Sequence, residues 1–145
     1  MDEGMASRAR AEMKVNPRYR WLGEQSRARV WRILARSALL VLSSKLEGGA
    51  NVLSEAIVAG TPVLASHIAG SVGILGESYD GYFKVGDTQG LARLLARAER
   101  DPAFLARLRS DGARLKPLFD PARERKAWSR LIAECRRAGN ARRGA

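Results

Sequence analysis

Two carboxylates carry most of the chemistry that this sequence offers. Glu47 and Glu55 bracket the run Gly48-Gly49-Ala50-Asn51-Val52-Leu53-Ser54. The glycines let the chain turn sharply and bring its backbone close to a ligand. The first free amides of a following helix, with its positive dipole end, form a ready phosphate site. A carboxylate beside such a site is unsuited to hold the phosphate itself. It is suited to accept hydrogen bonds from hydroxyl groups attached to that phosphate, such as those of a ribose. Glu55, one turn into the helix, fits that role, and Glu47 could serve a second sugar. The combination points to a sugar-phosphate or nucleotide-sugar site.

The elements that must position these residues are legible on either side. Ala38-Leu39-Leu40-Val41-Leu42 is an unbroken apolar run, which suits a parallel strand covered on both faces. Asn51 is a candidate N-cap, and Gly60-Thr61-Pro62 is a helix stop. Between them Val52, Leu53, Ala56 and Ile57 share one stripe, whereas Asn51 and Glu55 share another face. The order strand, glycine turn, helix places the carboxylates at the C-terminal end of a strand, where doubly wound sheets bind ligands. Pro62-Val63-Leu64-Ala65-Ser66 is the next strand, and Tyr82-Phe83-Lys84-Val85 an edge strand. Arg18-Tyr19-Arg20-Trp21-Leu22-Gly23 reads as a short strand before a helix over 27–37, capped by Ser26, with Val30, Trp31 and Leu34 inward. The alternation predicts an α/β fold, a Rossmann-like parallel sheet flanked by helices.

At the same residues the sequence resembles a known family. Glu47-Gly48-Gly49-Ala50-Asn51-Val52-Leu53-Ser54-Glu55-Ala56, followed by Ala59-Gly60-Thr61-Pro62-Val63-Leu64-Ala65-Ser66, is similar to the donor-binding signature of retaining glycosyltransferases of family 4. The resemblance spans roughly residues 16–135 and implies the C-terminal, donor-binding half of a two-domain GT-B fold. It implies that Glu47 contacts the donor sugar, as the candidate catalytic residue, and that Glu55 contacts the ribose. Gly48, Gly49, Ala50, Asn51 and Val52 would hold the diphosphate through backbone amides. The usual loop of the family reads Glu-Gly-Phe-Gly, from which Gly49 and Ala50 depart. The Glu-Gly-Gly-Ala-Asn form, with Gly70-Ser71-Val72-Gly73 and Tyr79-Asp80-Gly81-Tyr82, is more similar to a narrower branch. That branch includes the selenosugar synthases of selenoneine biosynthesis, which couple a UDP-sugar to selenophosphate. The resemblance requires no metal or other cofactor, the nucleotide sugar being the substrate.

Length and composition set the remaining bounds. A chain of 145 residues is one domain's worth, about half of a two-domain transferase. It is therefore expected to depend on an N-terminal Rossmann-like half that would carry the acceptor site and the diphosphate-neutralising Arg and Lys. Residues 1–15 are expected to be a polar lead-in, a frayed helix or a poorly ordered segment, 16–137 the nucleotide-sugar-binding domain, and 138–145 a disordered basic tail. With one cysteine, Cys135, no internal disulfide or cysteine metal cluster is expected. No stretch is apolar for long enough to span a membrane, and the expected location is the cytoplasm.

The net charge of +11 is the kind of balance that nucleic-acid-binding chains carry. Here the arginines are scattered along exposed helix faces and no aromatic residues are interleaved with them, which does not suit a single-strand binder. Three further cleft candidates follow the second strand. His67 is the one histidine and lies in the pKa class of general acids and bases, but a solvated loop side chain is the preferred reading. Gly70 and Ser71 are weaker candidates for donor contact, with the Gly73 amide. Downstream, Asp87 or Thr88 is expected to cap a helix burying Leu91, Leu94, Leu95 and Ala98. A helix from Asp101-Pro102 is expected to bury Phe104, Leu105 and Leu108. The last helix, over 122–137, carries the stripe Trp128, Leu131, Ile132 and Cys135. Three functions compete: the donor-binding half of a glycosyltransferase, a non-catalytic nucleotide-sugar-binding module or truncated remnant, and a basic nucleic-acid-associated domain.

Overall fold

A computed structural model describes residues 3–47 and 51–143. The chain divides into two compact units, Met1–Ile33 and Leu34–Ala145.

The first unit opens with helix α1, Glu3–Val15, in which Ala6 and Ala9 are buried. Of the two readings of the polar lead-in, a helix is what the segment forms. Its last turn is closed by local bonds. The Asn16 amide donates to the Glu12 carbonyl at 2.9 Å, and the Asn16 side-chain oxygen accepts from the Arg18 amide at 3.1 Å. The predicted strand at 18–23 is absent. That segment has the aromatic content of a strand but makes no ladder with any described strand, and an unpaired strand leaves its backbone groups without the bonds that define it. Helix α2, Arg27–Arg36, follows within one residue of the expected boundaries, its first bonds accepted by the Ser26 carbonyl oxygen.

The second unit is built on a parallel sheet of three strands: β1 Leu40–Leu42, β2 Val63–Ser66 and β3 Tyr82–Phe83, in that spatial order. Leu40, Val41 and Leu42 pair with Val63, Leu64 and Ala65, and Ala65 and Ser66 pair with Tyr82 and Phe83. Every residue of β2 is buried, as a strand between two neighbours and two helical layers should be. β1 departs from the expectation of cover on both faces, because it is the edge of this sheet and Val41 is 38% exposed.

Helix α3, Asn51–Ala59, connects β1 to β2 and buries Leu53, Ala56 and Ile57. It ends in two reverse bonds, Thr61 amide to Ala56 carbonyl at 2.9 Å and Gly60 amide to Ile57 carbonyl at 3.1 Å. That geometry requires a left-handed residue, and Gly60 supplies it with φ of 78°. Thr61 is itself buried and its hydroxyl donates to the Leu34 carbonyl at 2.7 Å. Helix α4, Ala69–Leu75, occupies the segment read from sequence as loop. Its glycines and serine argue against a helix locally. It is held instead from β3, where the Tyr82 hydroxyl bonds the Ser71 and Gly76 carbonyl oxygens at 3.2 and 3.0 Å.

Helices α5, Thr88–Arg100, and α6, Pro102–Leu115, pack against each other, and α6 packs on α3. Ala98, Phe104 and Leu108 are buried, and the Arg97 guanidinium lies 4.2 Å above the Phe104 ring. Leu91, Leu94 and Leu105, all expected to be buried, are half-buried, and Leu95 is 40% exposed. A 3₁₀ turn, Lys116–Phe119, leads to α7, Pro121–Arg143, which extends through most of the tail expected to be disordered. Trp128, Leu131, Ile132 and Cys135 share one stripe of α7, and all four are exposed.

Candidate nucleotide-sugar site

Because the three strands are parallel, the segments leaving their C-terminal ends share one edge of the sheet. After β1 comes Ser43–Glu47, after β2 His67–Gly70, and after β3 Lys84. Glu47 therefore emerges where a parallel sheet exposes its ligand-binding edge. Gly48, Gly49 and Ala50, the expected diphosphate loop, lie outside the described residues. α3 is described from Asn51, which is itself helical and so is not the residue before the helix. Val52 is half-buried in the first turn, and Glu55 is half-buried one turn in, on the face away from Leu53, Ala56 and Ile57.

The Glu47 carboxylate is oriented by neighbours that the sequence reading did not single out. The Ser44 hydroxyl donates to Glu47 Oε1. The Ser44 carbonyl oxygen in turn accepts from the Ser66 hydroxyl at 2.5 Å. Ser66 ends β2 and is 1% exposed, so the second strand braces the loop that leaves the first. The signal was present in the three-residue spacing of Ser44 and Glu47, a local spacing over which a serine hydroxyl can reach a neighbour.

Gly70 holds the other side. A Cβ at Gly70 would stand 2.4 Å from the Glu47 carbonyl oxygen and 3.7 Å from the Glu47 Cβ. Only a glycine lets α4 come so close to the Glu47 backbone. Gly70 is thus brought to Glu47, as a packing surface. Ser71 differs from its expectation: its side chain is completely buried, and its hydroxyl has no hydrogen-bond partner among the described residues. It does not face a cleft, because helix packing turns it inward. Gly73 is exposed.

His67 sits with a 51% exposed side chain, its ring edge-on to Tyr82 at 4.9 Å between centroids and its Nε2 3.9 Å from Glu77. Tyr82 is pushed up to about 12 by burial first and by the nearby Glu77 carboxylate second. Its phenol therefore remains a protonated donor to the α4 carbonyls across the ordinary pH range. Tyr79, buried and donating to the Val63 carbonyl at 2.7 Å, is raised for the same first reason.

Among the described residues, the Glu47 carboxylate follows the carboxyl end of β1 and a half-buried Glu55 lies one turn into α3. A family model described as glycosyl transferases group 1 matches residues 4–114. The chain belongs to this family. The match, together with the parallel α/β sheet, identifies a Rossmann-like domain of the kind that forms the C-terminal half of a GT-B glycosyltransferase. It ends before α7. A search of curated proteins found no match. Among the described residues, no helix is long and apolar enough to cross a membrane.

Proposed function

We propose that this chain is the donor-binding half of a retaining glycosyltransferase resembling family 4, and that it takes a sugar from a nucleotide sugar, with UDP as the carrier. The observation that carries the reading is that Glu47 follows the carboxyl end of a parallel strand and Glu55 lies one turn into the next helix, in a chain of the glycosyl transferase group 1 family. Glu47 is assigned to the donor sugar and Glu55 to the ribose, with Gly48, Gly49, Ala50, Asn51 and Val52 on the diphosphate.

In such a reaction the bond from the anomeric carbon to the diphosphate breaks while the acceptor bonds the same face of the sugar. Positive charge develops on the ring and negative charge on the departing diphosphate. Amides and a helix dipole aimed at that oxygen stabilise it without reorganisation, and need no metal to do so. Glu47 and Glu55 orient the donor and do not act as nucleophiles. The acceptor would be supplied through an N-terminal Rossmann-like partner half. The Glu47-Gly48-Gly49-Ala50-Asn51 form of the loop supports the selenosugar branch, with selenophosphate as acceptor.

The test is calorimetric titration of the purified chain with UDP and UDP-N-acetylglucosamine, beside Glu55→Gln. Saturable binding, weakened by about 1–3 kcal/mol in the variant through loss of a charged acceptor, is expected. Unchanged UDP affinity in Glu55→Gln would overturn the ribose assignment. Binding without transfer, even with a partner half supplied, would favour a non-catalytic nucleotide-sugar-binding module.

A further inference from the structure

We infer that Ser44 is a positioning residue for the donor sugar, acting through Glu47 and braced by Ser66 and Gly70. The inference rests on the assignment of Glu47 to the sugar. A glutamate side chain on a loop has three rotatable bonds and loses affinity whenever its carboxylate must be ordered at the moment of binding. Here that ordering is done before the ligand arrives. The Ser66 hydroxyl, buried at the end of β2, donates to the Ser44 carbonyl oxygen at 2.5 Å and fixes where Ser44 stands. The Ser44 hydroxyl then donates to Glu47 Oε1 and fixes the carboxylate. The Glu47 backbone is also backed by Gly70, where an added Cβ would lie 2.4 Å from the Glu47 carbonyl oxygen. The end of β2 and helix α4 thus both brace the loop that carries Glu47.

The consequence is selective. Ser44 bonds the carboxylate assigned to the sugar, whereas the ribose is assigned to Glu55 on α3 and the diphosphate to backbone amides of residues 48–52. Removing the hydroxyl should weaken recognition of the sugar and leave the nucleotide part alone. A residue that merely supports the fold would weaken both.

The experiment titrates the wild-type chain, Ser44→Ala and Ser44→Thr with UDP and with UDP-N-acetylglucosamine. Wild type is expected to bind the sugar nucleotide more tightly than UDP. Ser44→Ala is expected to lose roughly tenfold in affinity for UDP-N-acetylglucosamine, the scale of one hydrogen bond to a charged group. Its UDP affinity should stay within about twofold, inside the ±0.5 kcal/mol usual for a change that removes no contact. Ser44→Thr, which keeps the hydroxyl, should restore the sugar-nucleotide affinity. Equal losses for both ligands, or no loss for either, would overturn the positioning role while leaving the donor-site reading intact. A wild-type chain that binds UDP-N-acetylglucosamine no better than UDP would also overturn it. A chain that binds neither ligand overturns the donor-site reading and this inference together.

Discussion

At Gly81 a side chain has nowhere to go. A Cβ there would stand 2.6 Å from the Val63 carbonyl oxygen and 2.6 Å from Cε1 of Tyr79. Those two residues are already hydrogen-bonded to each other, since the Tyr79 hydroxyl donates to the same Val63 carbonyl. Substituting Gly81 with Ala should therefore cost about 1–3 kcal/mol, the usual range for overpacking a filled site. Urea unfolding followed by circular dichroism checks this, and an unchanged midpoint would contradict it. The same reasoning separates Gly81 from Gly73, where an added Cβ meets nothing within 4 Å. Residues of one type thus play different parts, and space rather than identity tells them apart. At the donor site the decisive residue-scale feature is similar in kind: Gly70 is a glycine because Glu47 is there.

Among the elements, the junction of α5 and α6 turns on one carboxylate. Asp101 ends α5, and its side chain accepts from the Phe104 amide at 3.0 Å as the N-cap of α6. That amide bond, then the Arg97 guanidinium 3.5 Å away, holds the Asp101 carboxyl below its ordinary value of 3.8. The lowered value means that the stabilisation is complete above 3.8 and is lost as pH falls through the folded value. Asparagine caps as well as aspartate but does not titrate. Asp101→Asn should therefore fold normally at neutral pH and show a shallower loss of melting temperature below about pH 4. An acid limb identical to that of wild type would rule out Asp101 as a contributor. α7 is the opposite kind of element: long, basic and exposed on every side from residue 121 to 137, including its apolar stripe. Nothing in the cap or the stripe of α7 contributes to the core that α3, β2 and α6 form.

For the molecule as a whole, charge is the dominant imbalance. Twenty-six Lys and Arg stand against fifteen Asp and Glu. Ion pairs such as Arg107–Asp80 at 3.8 Å are exposed and contribute little. Like charges without partners repel one another across the surface, which disfavours the compact state. Salt at about 1 M shortens the screening length to about 3 Å from about 10 Å at 0.1 M. The melting temperature should accordingly rise between those concentrations. A fall would show that the few pairs matter more than the net excess.

Much of this was legible in the linear sequence, for reasons that act locally. The apolar run before Gly48, the stop at Gly60 and the stripe of Leu53, Ala56 and Ile57 define a strand and a helix through contacts a few residues apart, and both elements formed. The pair Glu47 and Glu55 was visible because the two lie close in the chain, one before the glycines and one in the helix after them. The segments at 18–23 and 69–75 were misread, one as strand and one as loop, because pairing and anchoring come from distant residues. The 18–23 segment found no strand to pair with, and α4 is held by Tyr82 from β3. Ser44, Ser66 and Gly70 lie within a run of twenty-seven residues, yet nothing in their order says that they meet at Glu47. The sequence alone determined the chemistry available, two carboxylates and a glycine turn at a helix start. Tertiary structure alone decided how one of those carboxylates is aimed, because orientation depends on groups that only parallel pairing of β1 with β2 and the close packing of α4 bring into reach.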